Sequence, residues 1–143
     1  MERRTLLVAG AALATAGATR AIAAPGNMPG MAMAMSMDDC IDLCMKSHRV
    51  CLDAASRLSQ QAATPALRQL VILLSDCAEL CGTTANSMVR GSPLHPFVCR
   101  ACAEACELCA KQCREQANDN LLNCSGTCEK CAAGCRQMAA MAG

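Results

Sequence analysis

An all-α chain, folded as an up-down-up-down four-helix bundle with a cysteine-lined core, is the fold class that three features of the sequence predict. Cysteines recur at steps of three and four, as at Cys99, Cys102, Cys106, Cys109 and Cys113, and again at Cys124, Cys128, Cys131 and Cys135. That spacing writes the a/d seam of a helix packed in a bundle. Four stretches carrying such a seam are separated by brief polar or Pro/Gly breaks, and short connections make successive helices antiparallel neighbours. The single Phe, with no Trp or Tyr, leaves the 14 Cys to fill space that aromatic side chains ordinarily occupy. A length of 143 residues provides for one domain with one core and is too short for two.

Residues 1–23 read as a twin-arginine signal peptide rather than as part of the fold. Arg3 and Arg4 are followed by Thr5, Leu6 and Leu7, an Ala-rich apolar run extends to about Ala18, and Ala21-Ile22-Ala23 offers small residues for cleavage before Ala24. The competing reading is a chance arginine pair in an ordinary secretory signal or a membrane anchor. The apolar run is too short and too rich in Gly and Ala for a stable span, so no membrane span is expected after signal removal. Export by the twin-arginine route, to the periplasm, is the expected localisation. Removing Arg3, Arg4, Arg20 and Glu2 takes the formal charge from +1 to −1. With that balance and almost no aromatics, no nucleic-acid partner is expected. Exported compartments favour disulfides, but the twin-arginine route carries folded proteins, so the chain can fold and load in a reducing cytoplasm first.

Residues 24–36 form a flexible, Met-rich N-terminal segment. Pro25, Gly26, Pro29 and Gly30 break regular structure, and Met31, Met33 and Met35 alternate with Ala. These thioethers are either a lure for a soft ion or a tail without a role. The bundle domain occupies residues 37–143. Ser36 can cap a first helix reaching about Gln61, with Asp38 and Asp39 at its positive end. Thr64-Pro65 is a cap and first-position pair for a second helix that ends near Met88 or Val89, before Arg90-Gly91-Ser92-Pro93. A third helix from about Pro96 to Gln116 and a fourth from about Asn120 to Met138 flank the polar turn at Asn118-Asp119-Asn120. In helix 1 the seam runs through Met37, Cys40, Cys44, Ser47, Cys51, Ala54 and Leu58. In helix 2 it runs through Leu70, Leu74, Cys77, Cys81, Thr84 and Met88.

Residues three or four apart on a helix have Cβ atoms about 5–6 Å apart on one face, so each CxxC or CxxxC step can hold an ion between two sulfurs. Cys99 to Cys113 covers about 21 Å of helix, which makes a tube of sites rather than one. Thiolates and thioethers select Cu(I), Zn or iron–sulfur centres and exclude Ca and Mg. A tetrathiolate Zn site keeps a charge of −2, and several stacked in a dry interior would be costly. One Cu(I) per thiolate is neutral. No ferredoxin-type cysteine run and no CxxCH haem motif is present. Multiple Cu(I) ions are therefore the expected metal complement. Seven disulfides are the structural alternative, and sequential cysteines on one helical face suit them poorly.

The seam on four helices, with the exported Met-rich start, resembles the exported branch of the four-helix-bundle copper storage protein family over about residues 37–140. The residues that carry the resemblance are Cys40, Cys44, Cys51, Cys77, Cys81, Cys99, Cys102, Cys106, Cys109, Cys113, Cys124, Cys128, Cys131 and Cys135. The resemblance implies a homotetramer of bundles, each storing many Cu(I) ions through pairs of thiolates, and a link to copper-requiring client enzymes. A copper metallochaperone is the alternative function, and a disulfide-stapled exported helical protein is another. No nucleophile-base pair or carboxylate cluster suggests an enzyme.

His48, flanking the seam between Cys44 and Cys51, can ligate copper or be a polar residue at the bundle edge. His95 can contact metal or cap helix 3. Up-down-up-down topology gathers Met37, Cys40, Met88, His95, Cys99, Cys135, Met138 and Met141 at one end and Leu58, Leu67, Leu70, Leu74 and Leu121 at the other. The first end suits passage of ions, with Met88, His95 and Met138 as weaker ligands, and the second is an apolar plug.

Overall fold

Ser36, in extended conformation, accepts the amide of Asp39 on its Oγ at 3.0 Å and donates its hydroxyl to the Asp39 carboxylate at 2.7 Å. This reciprocal cap satisfies a first-turn amide that has no helical partner, and α1 (Met37–Ser59) starts there. The computed structural model describes residues 34–61, 64–116 and 118–141. The signal peptide expected at 1–23, and Met28, Met31 and Met33 of the Met-rich segment, lie outside the described residues.

Thr64 caps α2 (Pro65–Val89) in the same way, its Oγ1 accepting from the Leu67 amide at 3.2 Å, with Pro65 in the first turn where a missing N–H costs nothing. Gly91, at φ 59°, closes the other end of α2. Its amide reaches the Met88 carbonyl at 2.9 Å, and the Ser92 amide reaches the Ser87 carbonyl at 3.0 Å. Both are the bonds of a glycine-terminated C-cap, and the left-handed φ is what glycine permits. α3 (His95–Glu115) begins one residue before the position read from the sequence, because the His95 amide already bonds to the Ser92 carbonyl. α4 (Asp119–Ala140) also starts one residue earlier than expected, at Asp119, with Asn118 accepting the Asn120 amide. It runs two residues beyond the expected Met138.

α1 packs on α2 and α4, and α3 packs on α2 and α4, so the four antiparallel helices form the expected ring. Each of the four interhelix contacts carries one side chain bonded to a carbonyl of the neighbour. His48 donates to Ala78 across α1 and α2 at 2.8 Å, Thr84 to Val98 across α2 and α3 at 3.3 Å, Ser125 to Ala110 across α3 and α4 at 3.2 Å, and Ser47 to Thr127 across α1 and α4 at 3.4 Å. These bonds spend the few polar groups a tight bundle buries, at sites where an unpaired hydroxyl would be costly. On the outside of α3 and α4, Arg136 grips both carboxylate oxygens of Glu107 at 2.5 and 2.6 Å, and Arg114 pairs with Glu129. Among the described residues, no helix is long and apolar enough to cross a membrane.

Leu58, Leu70, Leu74 and Leu121 are buried at the end of the bundle that holds the α1–α2 and α3–α4 connections. Met88 and Met138 are buried at the other end, and Met35 and Met37, partly buried, pack against the core. Met35, near the end of the segment 24–36, donates its amide to the Gln137 side chain at 2.8 Å. Ala54, Ala78, Ala85, Ala103, Ala110 and Ala132 are buried among the cysteines. With so little side chain between them, the helices approach closely enough for sulfurs of all four to meet.

Candidate metal centre

Every one of the fourteen cysteines is fully buried, at 0% exposure, and every one is a free thiol. The hydrogen-bonded Sγ–Sγ distances are 3.5 to 4.0 Å, against about 2.05 Å for a disulfide bond. The disulfide-stapled alternative is therefore not the arrangement found. The seam explains the burial: residues at steps of three and four fall on one helical face, and packing in a ring turns that face to the axis.

Four groups of sulfurs lie with all members within 4.8 Å of one another. Cys51, Cys77, Cys109 and Cys128 come one from each helix. Cys44, Cys102, Cys131 and Cys135 form a second group, and Cys81, Cys102, Cys106 and Cys131 a third, the two sharing Cys102 and Cys131. Cys109, Cys113 and Cys124 form the fourth, toward the leucine end. Cys40 adjoins the second group through Cys135 at 4.0 Å. Cys99 belongs to none of the groups, although it is fully buried.

Packed thiols share protons. Hydrogen bonds from Cys135 and then Cys44 pull the Cys40 thiol down to about 5, while hydrogen bonding first to Cys102, and burial, push Cys135 up. The buried polar side chains are hydroxyls, Ser47, Thr84, Ser87, Ser125 and Thr127, and no charged side chain is in the described core. Nothing nearby offsets the −2 of a divalent ion in four thiolates. A monovalent soft ion paired with each thiolate leaves the interior neutral.

His48 is not brought to the sulfurs. Its Nδ1–H is spent on the Ala78 carbonyl, and its ring lies over Gly82, where a Cβ would stand 3.3 Å from Nδ1. His48 joins no sulfur group. His95 likewise joins none and donates from Nδ1 to the Ser92 carbonyl at 3.0 Å, serving the start of α3. Met88 and Met138 are buried at the same end as Cys40, Cys99 and Cys135. Met45, off the cysteine seam of α1, is 46% exposed. Met35, one of the thioethers read as a lure for a soft ion or a tail without a role, has its Sδ 2.5 Å, and the Cys40 Sγ is 3.3 Å, from where a Cβ on Gly134 would be. The sequence signal was Gly134 itself, a glycine in a helix interior beside Cys135, which marks a close approach.

The sequence pattern of copper storage proteins matches residues 32–140. The chain belongs to the copper storage protein family. A crystal structure of a Nitrosospira multiformis protein superposes on it with a TM-score of 0.67 at 37% identity, covering 73% of this chain and 95% of that one. The Cu(I)-bound copper storage protein BsCsp3 gives a TM-score of 0.68 at 27% identity, covering 71% of this chain and 96% of that one. The uncharacterized cysteine-rich protein YhjQ of Bacillus subtilis (strain 168) is 28% identical over 101 residues, which is 71% of this chain and 94% of its own. Within this copper storage protein the matched region contains all fourteen cysteines and all four helices.

Proposed function

We propose that the chain stores Cu(I), many ions at a time, on the thiolates of its core, for copper homeostasis and supply to exported copper enzymes. The observation that carries the reading is fourteen buried free thiols in overlapping groups with no charged side chain among them. Each ion displaces one thiol proton, so filling changes neither the charge of the interior nor the oxidation state of sulfur or copper. A chaperone that hands over single ions needs one or two accessible sites, and buried sulfurs spread along four helices are poorly placed for that role or for turnover.

Uptake and release take place at the end that holds Met35, Met37, Met88, Met138 and Cys40. Thioethers are neutral and bind a soft ion more weakly than bridging thiolates, so ions pause there and move on. The opposite end is closed by Leu58, Leu70, Leu74 and Leu121. Export by the twin-arginine route to the periplasm, after folding, and assembly into a homotetramer complete the proposal. Its support is the Arg3-Arg4 start for the first and family resemblance for the second.

Anaerobic titration of the reduced protein with Cu(I) against a competing chelator tests the reading. Roughly one Cu(I) per thiolate is expected, well above ten per chain. Saturation at one or two ions would favour the chaperone alternative.

A further inference from the structure

Leu70 to Leu74 of α2 are apolar without a break, a run longer than one helical turn, so the helix is apolar all round at that level. Leu70 and Leu74 are buried in the bundle, while Ile72, turned the other way, is 54% exposed. On one side Ile72 borders a groove that it lines with Leu73 and with Leu108 of α3, itself 50% exposed. On the other side it borders a second apolar groove with Leu58, Leu67 and Val71. The outer face of α1, by contrast, carries the exposed charges Asp42, Lys46, Arg49, Asp53 and Arg57. An apolar ridge between two apolar grooves is surface that another molecule covers.

The charges around Ile72 identify that molecule. Arg68 precedes Ile72 by four residues and Asp76 follows it by four, both exposed. They stand about 6 Å to either side of it along α2 and about 12 Å from each other, too far to pair within the helix. Glu79 follows Ile72 by seven residues, and Pro65, the first residue of α2, precedes it by seven. The first turn of α2 contains no acidic residue to meet the positive end of the helix. Among the described residues, Arg68, Asp76 and Glu79 form no ion pair within the chain. Charge is therefore positive before Ile72 and negative after it, at equal distances. Two helices with that pattern match each other when they run antiparallel about a two-fold axis at Ile72: Arg68 of each copy faces Asp76 of the other, and Glu79 of each faces the other's uncompensated first turn.

We infer that a second copy of this chain covers the face, α2 against α2, antiparallel about a two-fold axis through Ile72. The contact rests on the homotetramer reading, of which it names one interface, and is independent of which metal the core takes. Ile72 and Leu108 form its apolar centre, and the Arg68–Asp76 pairs at the rim set its direction and register. Met88 lies sixteen residues beyond Ile72, about 24 Å along α2. Pairing at Ile72 thus leaves the methionine end of each copy uncovered and points the two methionine ends in opposite directions.

Sedimentation velocity of the reduced, metal-free full chain over a range of concentrations tests the contact. The native protein is expected to sediment as a dimer or a tetramer. Ile72→Glu, which sets two carboxylates against each other at the axis, should halve that mass, with circular dichroism showing the bundle still helical because the side chain is exposed. Arg68→Glu alone and Asp76→Arg alone each put like charges at both rim contacts and should weaken self-association at least about tenfold. The double variant Arg68→Glu with Asp76→Arg should return to within about threefold of native. Within one chain the two positions are too far apart to pair, so that recovery reports a contact between copies. A native monomer would defeat the homotetramer reading together with the contact. A native oligomer whose mass Ile72→Glu leaves unchanged, or a double variant that associates no better than the single ones, would overturn the α2 contact and leave the homotetramer reading standing.

Discussion

Replacing Gly134 by Ala places a methyl group where the Met35 thioether now lies, 2.5 Å from Sδ and 3.3 Å from the Cys40 Sγ. Two effects of opposite sign follow. Ala in a helix interior is favoured over Gly by about 0.8–1.0 kcal/mol. Against this, Met35 must leave its place, and its half-buried side chain with the amide bond to Gln137 is worth about 1–2 kcal/mol. Cys40 needs to move by only a few tenths of an ångström. Gly134→Ala alone should therefore lower the stability of the reduced, metal-free chain by no more than about 1 kcal/mol. Met35→Ala alone should cost about 1 kcal/mol in the native background and close to nothing once Ala is at position 134. Urea denaturation of the native protein, the two single variants and the double variant measures that difference as a coupling energy of about 1 kcal/mol. A coupling below about 0.3 kcal/mol would show that Met35 does not occupy the notch at Gly134, and with that its place beside Cys40 would fall.

The leucine end, the buried alanines and cysteines acting as small hydrophobes should keep the reduced chain helical without metal, and a circular dichroism spectrum of a largely unfolded apo chain would contradict this. Replacing Met88, His95 and Met138 together by Leu conserves volume at the two buried methionines. This triple variant should slow both uptake and chelator-driven removal of Cu(I) with total capacity nearly unchanged, and unaltered rates would mean that ions pass elsewhere, for instance between breathing helices. Arg136 beside Glu107 holds that carboxyl below its ordinary value of 4.5. The pair's contribution is therefore present in full above 4.5 and is lost as pH falls through the lowered value. Glu107→Gln should remove a small part of the acid-side slope of stability while leaving the cysteine core untouched, and an identical slope in both proteins would count against the pairing.

Much of the fold was legible because it rests on local chemistry. Ser36 and Thr64 cap the first two helices as their side chains and positions require, and Gly91 ends α2 where a left-handed residue is needed. The cysteine steps alone put all fourteen sulfurs on inward faces, since a period near 3.6 determines which residues share a face whatever that face later meets. The starts of α3 and α4 were each placed one residue late, because His95 and Asp119 enter their helices through bonds made just upstream, at Ser92 and Asn118.

The tertiary structure decided which sulfurs meet. Nothing in the spacing shows that Cys102 serves two groups and Cys99 none, or that Cys106 touches Cys77 across α2 and α3. Nor does it show that His48 turns to the Ala78 carbonyl rather than to the seam three residues away, or that Met35 folds back into the space over Gly134. Helical period determines the direction of a side chain about its own axis. The axial stagger between neighbouring helices determines what it finds there, and that stagger is fixed by packing of buried alanines, methionines and leucines from segments far apart in the chain.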